Sequence, residues 1–261
     1  MACFDGCHCF SHKRGSSILY SILKNGTQPE RQSQRAAGLV PQQACACASN
    51  TKVALRYPQV TCKAASAVLV KTLRFVKNVP CFCELPGDDQ VLLVRNSWAP
   101  LLVLGMAQDR VDFETTETAE PSMLQRILTG GREKREHPQH TGDKVSLADI
   151  QRIKAFLNKC WGLDISTKEY AYLKGAVLFD PDLAGLQCPH YICGLQSEAQ
   201  RALDEHVGMI HREDAARFAK LSGTLSLLRS VHADVVAELF FRPIIGTVSM
   251  DELLIEMFYG K

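Results

Sequence analysis

The stretch FVKNVPCFCELPGDDQVLLVRNSW, residues 75–98, decides how the rest of the chain reads. Its first residues end a run, CKAASAVLVKTLRFVKNV, in which Val68, Leu69, Leu73 and Val76 recur at three-to-four spacing, the period of an amphipathic helix. Pro80 stops that helix, because its ring has no N–H to continue the ladder. Pro80 and Pro86 then isolate a single turn that carries Phe82 and Leu85 at i,i+3. Asp88 and Asp89 follow as a carboxylate pair at a helix start, where the positive end of the helix dipole favours them. The helix they open is apolar almost all round after Trp98, as in WAPLLVLGMA, and a helix of that kind belongs in the middle of a domain.

Outward from this core the pattern stays helical. RVDFETTET alternates and fits a short strand or turn, PSMLQRIL reads as a short helix, and TGGREKREHPQHTGD as a charged loop. SLADIQRIKAFLNKCW opens on Ser146 with Asp149 three residues on, a capping-box variant, and STKEYAYLKGAVLF places Glu169 in its first turn before DPD at 180–182. Further helices are expected over about 189–207 and 213–241, and Pro243 and Gly246 break the second. Ser249 and Glu252 are placed to cap a terminal helix, SMDELLIEMFYGK, tethered by RPIIGTV. Strand signal is thin, so residues 61–261 read as an all-α domain of nine to eleven helices.

Residues 1–60 differ, with Gly, Ser, Gln, Asn and scattered Cys, and read as a mostly flexible arm. Within the arm, SSILYSILKNG (16–26) sets Leu19, Ile22 and Leu23 on one helical face, extended by Ile18, with little nearby to pack against. The chain of 261 residues is 46% hydrophobic and carries a formal net charge of +2, a near-balance that argues against a protein built mainly to grip phosphate backbones. Eleven cysteines without an apolar leader read as reduced thiols in nucleus or cytoplasm, and no run of roughly eighteen apolar residues suggests a membrane span.

Catalytic motifs fail in turn: there is no G-x-S-x-G, no phosphate-binding loop and no H-E-x-x-H, so no enzyme is expected. Cys3, Cys7 and Cys9, with His8 and His12, have ligand types for zinc. Their spacing matches no standard finger, and no C-x2-C pair occurs, so a reduced arm without metal is the favoured reading. Cys81 and Cys83 read as core thiols. No cofactor is expected.

The opening stretch resembles the signature of nuclear-receptor ligand-binding domains, through Phe75, Lys77, Phe82, Leu85, Asp89, Gln90, Leu93 and Trp98 at the family's spacing. LLIEMF resembles that family's activation helix, through Leu253, Leu254, Glu256, Met257 and Phe258. The resemblance implies a three-layer antiparallel helical sandwich with the flexible arm appended. It also implies a coactivator groove clamped by Lys77 and Glu256, with the terminal helix either docked beside the groove or lying in it. Where steroid receptors place an arginine to hold a polar ring substituent, this chain has Asp109, with Arg110 next. Leu102, Met106 and Phe113 are bulky enough to fill the family's ligand cavity.

The DNA-reading zinc module of ordinary receptors needs C-x2-C pairs, which are absent, so the resemblance implies a receptor that acts on partners without direct DNA binding. Leu19, Ile22 and Leu23 then form a variant leucine box that docks in another receptor's groove. Phe82 and Leu85 are a further candidate contact. The expected partners are receptors of the steroidogenic-factor, liver-receptor-homologue and steroid types, together with corepressors. Homodimers or heterodimers would pair through the long helix at 213–241. The expected role is transcriptional corepression, and the alternative is a ligand-gated sensor.

Overall fold

A Tyr57–Pro58 step starts the first long helix, because Pro is well tolerated where the N–H has no helical partner. The computed structural model describes residues 51–119 and 145–260, which belong to one compact unit. Among them are ten helices: α1 (Pro58–Lys77), α2 (Pro80–Cys83), α3 (Gly87–Gln108), α4 (Leu147–Gly162), α5 (Thr167–Leu178), α6 (Pro189–Ile210), α7 (Arg217–Leu228), α8 (Ala233–Phe240), α9 (Arg242–Ile245) and α10 (Met250–Tyr259). Two short strands, β1 (Thr51–Leu55) and β2 (Thr115–Ala119), pair antiparallel with Thr51 opposite Ala119 and Leu55 opposite Thr115. β1 and the first residues of α1 lie N-terminal to Thr61, where the sequence pattern changes.

α3 is the central helix. It packs on α1, α4, α5, α8 and α10, while α6 packs chiefly on α5, which gives the layered helical sandwich. Leu93, Leu101, Leu102, Val103, Leu104 and Met106 of α3 are all fully buried, as an all-round apolar helix requires. It has the length and hydropathy of a membrane span, yet two thirds of its most apolar window is buried inside the domain.

α4 and α5 each begin with a complete capping box. Ser146 Oγ accepts from Asp149 N at 3.1 Å, and Ser166 Oγ accepts from Glu169 N at 3.3 Å, with the acidic side chains returning to the serine N–H groups. The expected box at Ser249 does not form: Ser249 is the N-cap of α10 but its side chain makes no cap hydrogen bond. The expected long helix at 213–241 is also corrected. The chain from His211 to Ala216 turns, and α7 ends at Leu228, where Ser230 Oγ donates to Leu227 O at 2.6 Å and Val231 N to Leu228 O at 3.0 Å. A serine hydroxyl that takes a backbone carbonyl in this way competes with helix continuation. The surface assigned to dimer pairing is therefore carried by two helices, α7 and α8, rather than by one.

Candidate functional site: the groove beneath the terminal helix

The signature residues of 75–98 each hold a join. Asp89, with no exposed surface, accepts from Gln187 N at 2.8 Å and Cys188 N at 3.0 Å, tying the start of α3 to the start of α6. That is more than favourable placement at a dipole, and the position beside Gln90 in the signature was the only hint of it in the sequence. Gln90 Nε2 donates to Leu85 O at 2.9 Å and to Cys83 O at 3.3 Å, which fixes the Pro80–Pro86 turn against α3. Trp98 meets Phe241 edge to face with centroids 6.0 Å apart. Lys174 Nζ lies 5.5 Å from the centroid of the Phe75 ring.

α1, the turn and α3 together form a groove, and α10 lies in it. Leu254 and Phe258 are buried, while Leu253 and Met257 are half-buried. The Phe258 ring meets Phe82 edge to face, with centroids 5.9 Å apart and planes at 82°. Lys77 Nζ donates to Met257 O at 3.4 Å and stands 5.3 Å from the centroid of Phe258. The lysine thus meets an end carbonyl of α10, where a cation is favoured. Glu256 belongs to the occupant and faces solvent, so in this conformation Lys77 and Glu256 do not stand as two ends of an open clamp.

Phe82 and Leu85, candidates for partner contact, face inward: Phe82 is 0% exposed and Leu85 5%. The reason is the Phe258 ring above one and the Gln90 amide locking the other. Cys81 is half-buried against the core, whereas Cys83 is exposed and donates its thiol to Lys77 O at 3.2 Å, which corrects its reading as a core thiol. Leu19, Ile22 and Leu23, the Cys3, Cys7 and Cys9 cluster and the expected helix PSMLQRIL lie outside the described residues. Among the described residues no group of three or more His, Cys, Asp or Glu could hold a metal ion.

Two features carry no local signal in the sequence. One is an ion pair between Glu169 of α5 and Arg217 of α7, with Nε to Oε1 at 2.6 Å and Nη2 to Oε2 at 2.8 Å. The other is a half-open groove of about 290 Å³ lined by α3, α5, α6 and α7, including Leu93, Pro100, Val177, Gln196 and Leu228. Each is made by residues far apart in the chain, and no local period marks either.

A helical sandwich around an all-apolar central helix, with a lysine-ended groove at the terminal helix, defines the class. The family model for the ligand-binding domain of nuclear hormone receptors matches residues 58–245, and this chain belongs to that family. Its relatives include proteins named nuclear receptor subfamily 0 group B member 1. The pig protein is 52% identical over 98% of this chain and 57% of its own length, and the human protein is 58% identical over 80% of this chain and 48% of its own. The mouse protein is 51% identical over 80% of this chain and 48% of its own length. These are the DAX orphan receptors, which ELFFRPIIGTVSMDELLIEM and ILYSIL also resemble. The chain spans about half the length of the curated relatives it matches.

Proposed function

We propose that this chain is an atypical nuclear receptor that represses transcription by binding other nuclear receptors. It presents Leu19, Ile22 and Leu23 as a helix to their coactivator grooves and recruits corepressors through its helical domain. It works in the nucleus, with a cytoplasmic pool, and selects promoters through its partners. The observation that carries this reading is the seat of α10. A receptor whose own groove holds its own terminal helix, with Lys77 on Met257 O and Phe258 on Phe82, is badly placed to receive a coactivator. A chain in that state contributes to a receptor complex by offering a box instead. The spacing agrees, since Leu254, Met257 and Phe258 in the groove repeat the i, i+3, i+4 pattern of Leu19, Ile22 and Leu23.

The test is calorimetry against the ligand-binding domain of a steroidogenic-factor-type receptor, comparing wild type with Ile22→Ala plus Leu23→Ala. Loss of two buried aliphatic anchors is expected to cost about 3–5 kcal/mol, or roughly two to three and a half decades in affinity. Unchanged binding would move the contact into the folded domain and end the box reading.

A further inference from the structure

Pro100 stands inside α3 and has no N–H to give the carbonyl of Asn96, one turn earlier, its bond in the helix ladder. Asn96 and Pro100 both line the half-open groove of about 290 Å³ between α3, α5, α6 and α7, so this gap in the ladder opens onto it. We propose that the groove is a binding site for a medium-chain carboxylic acid with a hydroxyl on its chain, and that the bound acid braces the turn between α7 and α8. The site is independent of the repression proposed above. Leu102, Met106 and Phe113, which close the core, do not line it.

Each wall of the groove specifies one part of that ligand. The floor is apolar, with Leu93 and Leu228 buried and Val177, Leu183 and Leu225 half-buried, and it takes a hydrocarbon chain because contact removes apolar surface of both from water. The space stands at the lower edge of small-molecule pockets, about 300–1,000 Å³, which favours a chain of medium length over a full lipid. Two polar side chains of the walls are already satisfied: Gln196 Nε2 donates to Ala176 O at 3.1 Å and Ser97 Oγ to Leu93 O at 2.6 Å. They ask nothing of a ligand.

Arg229 and Asp180 are the charged residues of the lining. Arg229 is exposed at the end of α7 and makes no side-chain hydrogen bond or ion pair among the described residues. The arginines before and after it in the chain, Arg217 and Arg242, hold Glu169 and Glu238. A guanidinium without such a partner, on the rim of an apolar groove, is matched by a carboxylate. Asp180, just past α5, accepts from Asp182 N at 3.1 Å and repels an acid head from its own side. The head therefore lies at Arg229, and the hydroxyl of the chain donates to the acceptors that remain, Asn96 O and Asp180. Val231 and Ala233 also line the groove and belong to the turn where α7 gives way to α8. A ligand held by Arg229 at its head and by Leu93 and Val177 along its chain joins that turn to α3 and α5.

The probe is 3-hydroxydecanoate, titrated into the full chain by calorimetry below its critical micelle concentration. Saturable binding is expected. Decanoate, which lacks the hydroxyl, is expected to bind about three- to tenfold more weakly, the worth of one neutral hydrogen bond. Arg229→Gln is expected to weaken the hydroxy acid about tenfold or more, whereas the uncharged methyl ester is expected to bind wild type and variant alike. Arg229 is exposed, so this change leaves the core untouched. In the unmodified chain, saturating acid is expected to slow amide exchange over 229–233 and 177–180, a readout that needs no variant. Absence of saturable binding, equal affinity of Arg229→Gln for the acid, or protection confined to helices away from the groove would overturn the site. Equal affinity for decanoate would overturn the hydroxyl as part of the ligand.

Discussion

Glu169 has no exposed surface, and everything near its carboxylate is arranged to keep it ionised. Burial by itself would push its pKa up. The Arg217 guanidinium, with the N–H and hydroxyl of Ser166, outweighs that and holds it at about 2. Arg217 has its own remaining donors on Leu163 O at 3.1 Å and Asp164 O at 3.2 Å, and His211 Nε2 lies 3.6 Å from Glu169 Oε1. Removing one partner of such a pair leaves a buried charge alone, so Arg217→Ala is expected to cost about 3–5 kcal/mol in urea unfolding. Glu169→Gln with Arg217→Met should recover much of that, because it deletes both charges and keeps the volume. The pH dependence follows from the depressed folded pKa. The pair's contribution is complete above the ordinary value of 4.5 and is lost as pH falls toward about 2, a limb that acid titration of stability should show in wild type and not in the double variant.

At the level of elements, α1 and α3 approach so closely that a hydrogen side chain is required at Gly105. A Cβ built there would lie 2.7 Å from Val68 Cγ1 and 3.4 Å from Thr72 Oγ1. Helix propensity alone would favour Gly105→Ala by about 1 kcal/mol. Overpacking of a full core costs about 1–3 kcal/mol and wins, so the variant is expected to melt lower than wild type; a higher melting temperature would mean that α1 slides to accommodate the methyl. α1 and α3 were also the most legible elements, since Val68, Leu69, Leu73 and Val76 mark a buried face and Pro80 marks its end. The break between α7 and α8 was not legible. Leu225, Leu228, Val235 and Val236 keep a helical spacing across it, and no Pro or Gly interrupts them. At the break the chain tightens into i,i−3 bonds, Ser230 N to Leu227 O and Val231 N to Leu228 O, which a hydropathy pattern does not register. The site was legible as residue types in the signature, but not in its state. Phe82 looks the same in sequence whether it faces a partner or Phe258, and the difference lies in where a ten-residue helix rests.

For the molecule as a whole, the question is whether anything can sit inside it. The charges at the end of α3 are spent outward: Asp109 Oδ2 receives Lys71 Nζ at 2.7 Å, and Arg110, at φ 53°, reaches Asp164 at 3.7 Å on the surface. Neither points a polar anchor into the core. Leu102, Met106 and Phe113 are fully or nearly fully buried, and Phe113 meets Phe240 edge to face at 5.1 Å, so this part of the interior is packed with the chain's own side chains. Close-packed interiors relax only in part when a side chain is cut back. Met106→Ala is therefore expected to lower stability by about 2–5 kcal/mol and to leave an apolar void. A small apolar solute such as benzene should then raise the melting temperature of the variant and leave wild type unmoved, because dry apolar cavities take such solutes. If wild type responds equally, or if its native mass spectrum carries a lipid or haem, the core already holds a ligand site and the sensor reading replaces the one proposed here. If only the variant responds, partner choice has to be set at the surface, where the exposed face of α10 lies within reach of other proteins.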